Sequence, residues 1–123
     1  MIVDDDKLLL NMYQRKFEMA GHEVLSLTSG EEALERLREN YNPDIILLDI
    51  VMPSPDGLEL LGMMRRESLA DKAAVIILTN QGDSKEIEKA KSLSIAGYIV
   101  KAALIPSEVV EEVIKIASGW KSK

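Results

Sequence analysis

The chain has no cysteine. That excludes disulfides, thiolate metal sites and cysteine nucleophiles. Aromatic residues are scarce, at 4%, so a core must be built mainly from Leu, Ile, Val, Ala and Met. No apolar run approaches the roughly 20 residues that span a bilayer as a helix, and the first residues carry acid where a signal peptide carries base. Positive charge is also in deficit, with 15 basic against 21 acidic residues and a net charge of −6. The acids are not gathered in a tail, so a strongly basic nucleic-acid-binding surface is not expected. These exclusions lead to the expectation of a cytoplasmic protein without direct contact to nucleic acid or membrane.

What remains is an ordinary globular balance over 123 residues, 46% hydrophobic and 29% charged. This is the size of one domain with its own core, expected over 1–123. Short β-type runs alternate with helical patterns. The runs are Met1–Val3, Glu23–Leu27, Asp44–Leu48, Ala74–Leu78 and Gly97–Val100. Ile45–Leu48 and Val75–Leu78 are continuously apolar, as strands covered on both faces are. The first strand reads as short, because three residues precede the acids.

Between these runs, Lys7–Ala20 carries Leu9, Met12, Tyr13 and Phe17 at helical spacing and ends at Gly21. Ser29 to Glu32 and Asp83 to Glu86 have capping-box spacing. Asp56 can cap a third helix, and Pro106 suits a first helical position, with Glu108 favourable in the first turn. Val109, Val110, Val113, Ile114 and Ala117 form the stripe of the last helix. Five β-α units imply an α/β fold with a parallel sheet and right-handed crossovers.

In open α/β sheets, ligands bind beyond the carboxyl ends of the strands. Asp4, Asp5 and Asp6 follow the first strand, Asp49 the third, Thr79 the fourth and Lys101 the fifth. Carboxylates from Asp4, Asp5 and Asp49 could gather around one Mg²⁺. Asp49 could act as a nucleophile towards phosphorus. Lys101 would supply positive charge, and the Thr79 hydroxyl could donate to a phosphoryl oxygen. Taken alone, Asp4–Asp6 would read as solvated helix-start acids, and Asp6 keeps that reading.

In order along the chain, the segments IVDDD, LLDIVMPSPDG, ILT and YIVK resemble those of the response-regulator receiver domains of two-component signalling. The resemblance covers essentially the whole chain. It implies a flavodoxin-like (βα)5 fold, with strand order 2-1-3-4-5 and helices on both faces. It makes Asp49 the phosphoacceptor and Asp4 and Asp5 the acidic pair, with Asp5 binding Mg²⁺ directly and Asp4 through water. The backbone carbonyl of Val51 becomes the third protein ligand. Thr79 matches the switch hydroxyl, Tyr98 the switch aromatic and Lys101 the family lysine. The implied partners are a histidine kinase or phosphotransfer protein, and a downstream target or output domain. Dimerisation through the face of the fourth helix, fifth strand and fifth helix is also implied.

The chain departs from the pattern at three positions. Ala102 stands where proline usually follows the lysine, which leads to the expectation of a trans bond or a rearranged loop. Asn80 replaces a small residue, and Val51 stands where some members carry a polar side chain. Two other functions use the same residues. One is a phosphorylation-independent interaction module on this fold, disfavoured because the acidic and lysine set is complete. The other is an aspartate-nucleophile phosphohydrolase, disfavoured because Lys7 follows Asp4–Asp6 without the expected threonine position. The expectation is therefore a signalling domain, which could catalyse its own phosphorylation and dephosphorylation, rather than an enzyme.

Overall fold

The computed structural model describes residues 1–80 and 85–120 of the chain. The expected cap at Asp83 lies outside them, as do Lys121–Lys123. Five strands alternate with five helices: β1 (Ile2–Val3), α1 (Lys7–Met19), β2 (Ser26–Leu27), α2 (Gly30–Arg38), β3 (Ile45–Asp49), α3 (Gly57–Arg66), β4 (Ala74–Thr79), α4 (Lys85–Lys91), β5 (Gly97–Val100) and α5 (Pro106–Ser118). All pairings are parallel, in the order β2-β1-β3-β4-β5. Among the described residues, no helix is long and apolar enough to cross a membrane.

Alternation along the strands sorts side chains into two cores, because successive residues point to opposite faces. Val3, Ile46, Leu48, Val75 and Ile77 face Ala33, Leu37, Leu60, Leu61, Met64 and Ile87 of α2, α3 and α4. Ile2, Leu47, Ile76, Leu78 and Ile99 face Leu10, Tyr13, Phe17, Val109 and Val113 of α1 and α5. The unbroken apolar runs in β3 and β4 follow from this, since both faces of each strand are covered.

Local chemistry sets the helix starts. The Asp6 carboxylate accepts from the Leu9 N–H at 3.1 Å, and the Ser29 hydroxyl oxygen from the Glu32 N–H at 3.2 Å. Asp56 and Glu59 form a reciprocal capping box at 2.9 and 3.0 Å. Gly21 follows α1 with φ +94°, a conformation that glycine adopts at little cost.

The second strand is shorter than its Glu23–Leu27 pattern. Its partner β1 is two residues long, so only Ser26 and Leu27 find ladder positions. Two flanking bonds extend the contact, from the Ile2 N–H to the Leu25 carbonyl (2.9 Å) and from the Asp4 N–H to the Leu27 carbonyl (3.1 Å). At the other end of the sheet, β3 and β4 each run one residue further than their apolar runs, so Asp49 and Thr79 belong to the strands.

Candidate phosphoryl-transfer site

Asp4 leaves the end of β1 fully buried, and Asp49 closes β3 at 4% exposure. Burying two carboxylates side by side is costly unless they are paired. The pairing comes from Lys101, whose Nζ lies 3.0 Å from Asp4 Oδ2 and 2.9 Å from Asp49 Oδ2. Backbone donors hold the remaining oxygens. The Asp6 N–H donates to Asp4 Oδ1 at 3.0 Å and the Val51 N–H to Asp49 Oδ1 at 3.1 Å. Asp5 is exposed. The sequence run Asp4–Asp6 thus divides three ways, into a buried ion-pair partner, an exposed acid and a helix cap.

The charges are poised against one another. Burial pushes the Asp49 carboxyl up to about 6, against the downward pull of the Lys101 hydrogen bond, and the Asp4 charge adds to the rise. Burial alone would pull the Lys101 ammonium down, but hydrogen bonds and charge from Asp49 and Asp4 outweigh it, and the net shift is upward. Tyr13, buried against the α1–α5 core, is close enough to feel Lys101, Asp4 and Asp49, though burial is the main cause of its raised pKa. Helical spacing had placed it only in a packing stripe.

The loop after β3 turns back behind Asp49. The Gly57 N–H donates to the Ile50 carbonyl at 3.1 Å. A side chain at Gly57 would collide with the Asp49 carbonyl oxygen and stand 2.8 Å from Ile50 Cα. Glycine is therefore required by space, and the start of α3 packs directly on the acceptor strand.

Thr79, 6% exposed, follows Leu78, the register partner of Asp49. The structure thus brings Asp4, Asp49 and Lys101 into direct contact, with Thr79 on the neighbouring strand end. Tyr98 is not drawn in. It is 37% exposed, with Lys91 Nζ 5.8 Å from its ring centroid. The Val51 side chain is 62% exposed. Substitution by Ala102 does not displace the lysine. The Ser54–Pro55 bond is cis and the Lys101–Ala102 bond is not. Lys101–Ala103 forms a 3-10 turn from which the ammonium still reaches both carboxylates.

Asp4, Asp5 and Asp49 each bring one carboxylate oxygen within 4.8 Å of the others. Three hard oxygen donors suit Mg²⁺, which keeps several waters and takes few protein ligands. The donor set therefore fits that ion.

Comparison with known proteins agrees with this geometry. A family model described as response regulator receiver domain matches residues 1–113. The chain is 31% identical to the polar-differentiation response regulator DivK of Brucella ovis, over 86% of this chain and 85% of that protein. It is also 31% identical to the transcriptional regulatory protein AfsQ1 of Streptomyces coelicolor, over 82% of this chain but only 43% of that protein's length. In fold it is similar to the chemotaxis protein CheY4 of Vibrio cholerae, with a TM-score of 0.83 at 24% identity, covering 94% of each chain.

Proposed function

The chain belongs to the response-regulator receiver family of two-component systems, and from that premise we propose that it is a single receiver domain over 1–123 whose phosphoacceptor is Asp49. The observation that carries this reading is the buried Asp4–Lys101–Asp49 cluster at the carboxyl edge of the sheet. Asp5, Asp49 and the Val51 carbonyl would hold Mg²⁺ directly, and Asp4 through water. Bound there, the ion supplies positive charge to the transferring phosphoryl oxygens.

An Asp49 carboxylate oxygen attacks phosphorus. The new O–P bond forms as the N–P bond of a phosphohistidine breaks, and the imidazole nitrogen takes a proton. A histidine kinase or phosphotransfer protein is the donor, and a small phosphodonor could replace it. The residues position and neutralise, which is most of what phosphoryl transfer asks of a protein. Lys101 already lies against the acceptor oxygen and needs a short movement to reach a phosphoryl oxygen. Thr79 donates its hydroxyl to another.

The phosphoryl group brings about −1.5 to −2 charge. Moving a switch from 1:99 to 99:1 takes about 5.5 kcal/mol. Two charge-assisted contacts of about 1.5–3 kcal/mol each approach that. Tyr98, now outward beside Lys91, would turn in and reshape the α4–β5–α5 face. A target protein, an output domain or a second copy would read that face in the cytoplasm.

The test is labelling with acetyl phosphate and Mg²⁺. Asp49→Asn should abolish the label, and undiminished labelling would overturn the acceptor assignment. No spectral response to Mg²⁺ and beryllofluoride would leave the phosphorylation-independent interaction module.

A further inference from the structure

The paired charges of the site stand on one face of the sheet. Ile2, Leu47 and Ile99 face α1 and α5. Asp4, Asp49 and Lys101 lie two residues further along the same strands, and so point the same way. The ion-paired cluster is therefore the top layer of the α1–α5 core. Lys101 starts from the end of β5, and its ammonium reaches carboxylates at the ends of β3 and β1. Its stem crosses β4 drawn out, and a long side chain held in that way loses much rotamer freedom. Asp4 and Asp49 hold its tip from the strands.

The helix α1 supplies what stands opposite. Its start, capped by Asp6, lies at the same carboxyl edge. Side chains on a helix lean towards its N-terminus, so the Tyr13 ring rises from α1 towards the cluster. Tyr13 is 1% exposed. Among the described residues, it alone brings a hydroxyl into that buried apolar cluster, beside Leu10 and Phe17. A hydrocarbon would fill the place at lower cost, because a hydroxyl taken out of water needs a polar neighbour. Lys101 meets that need. Burial raises the Tyr13 pKa, and among the charges Lys101 acts on it most strongly, ahead of Asp4, Asp49 and Asp6. Tyr13 thus keeps its proton, and its oxygen keeps a lone pair for a cation.

We propose that Tyr13 is a positioning residue for Lys101, its phenol oxygen bound through one water to the third ammonium N–H. A lysine has three such donors, and Asp4 and Asp49 take two of them. A bridging water is nearly as favourable in enthalpy as a direct bond. The tether presupposes Asp49 as the acceptor and Lys101 as its counter-charge. Its effect falls on the transfer itself. When Lys101 turns from the Asp49 oxygen to a phosphoryl oxygen, its contacts with the strand carboxylates change. The contact from α1 persists and keeps the ammonium at the carboxyl edge.

Tyr13→Phe tests this, because it removes the oxygen and leaves the ring to fill the core. In the metal-free protein, NMR relaxation of the Lys101 ammonium should show a clear loss of order. Backbone order at Asp4, Asp49 and Lys101 should stay as in the wild type. Labelling with acetyl phosphate and Mg²⁺ should slow about three- to tenfold, with Mg²⁺ affinity unchanged. Phe17→Leu loosens the same core without removing a hydroxyl. It should leave the ammonium as ordered as in the wild type.

The proposal is overturned if Tyr13→Phe leaves the ammonium at wild-type order, or if Phe17→Leu disorders it equally. Labelling that is lost in Asp49→Asn but runs at full rate in Tyr13→Phe also overturns the tether, and leaves the acceptor reading standing. Labelling that survives in Asp49→Asn overturns the acceptor reading. The ammonium measurement, made without metal or phosphodonor, then decides the tether by itself.

Discussion

The two ends of β1 are three residues apart and present opposite problems. At the carboxyl end, Asp4 and Asp49 are buried with one cation, Lys101, spanning them. At the amino end, the Met1 amino group has a depressed pKa from burial and donates to the Ile45 carbonyl at 3.0 Å. One end holds surplus negative charge and the other a desolvated amino group. The carboxyl edge pairs its charges within the fold, whereas the amino edge opens into a groove of about 410 Å³. A residue's burial therefore says little by itself; what matters is whether its partners are at hand.

Removing the cation should break the contrast most sharply. Lys101→Met leaves two buried carboxylates facing each other, and losing one partner from a buried charge cluster costs about 3–5 kcal/mol. Urea unfolding at pH 7 in a chelating buffer should show a loss of that order, partly recovered on adding Mg²⁺. A loss below about 1 kcal/mol would mean that the carboxylates shed their charge or reach solvent instead.

Asp49→Asn should act in the opposite direction. The folded Asp49 keeps its proton to about pH 6, whereas the ordinary aspartate value is 3.8. Between these values the folded state holds more protons, so stability falls as pH rises. Neutral asparagine removes that dependence and leaves Lys101 paired with Asp4. Without divalent cation the variant should be more stable at pH 7, by up to about 3 kcal/mol. A less stable variant would show that attraction to Lys101 outweighs burial.

Two glycines in α3 test how tightly the carboxyl edge is packed. Gly57→Ala forces a methyl group against the Asp49 and Ile50 backbone, where nothing flexible can yield, and should cost about 1–3 kcal/mol. It should also weaken beryllofluoride binding. Gly62 meets only the Arg66 guanidinium, at 4.0 Å, so Gly62→Ala should gain about 0.5–1 kcal/mol. Equal effects in a denaturant titration would contradict the packing behind Asp49.

Much of this was legible in the sequence, for physical reasons. The unbroken apolar runs Ile45–Leu48 and Val75–Leu78 required cover on both faces, and the caps at Ser29 and Asp56 required only local chemistry. The meeting of Asp4, Asp49 and Lys101 was legible because strand ends in this fold converge on one edge. The rest depended on partners distant in sequence. Glu23 and Val24 have strand character but lie outside the ladder with β1, which holds Ser26 and Leu27, and no pattern within Glu23–Leu27 reveals that. Ala102 raised doubt about Lys101, yet a 3-10 turn from Lys101 to Ala103 keeps the ammonium in place. The backbone donors at Asp6 and Val51 leave no mark in sequence at all.

The smallest expected effect belongs to the amino edge, and it sharpens the comparison. The Met1 amino group titrates at about 6 when folded, against an ordinary value of 8.0. Between those values the unfolded chain binds the extra proton, so stability falls as pH drops from 8 to 6. Acetylating Met1 removes the titration. At pH 7 the acetylated protein should gain about 1 kcal/mol, and its stability should no longer change with pH through this group. Paired urea titrations at pH 6, 7 and 8 would show it. If acetylation instead leaves the stability change between pH 6 and 8 unaltered, burial does not hold the Met1 amino group below its ordinary value.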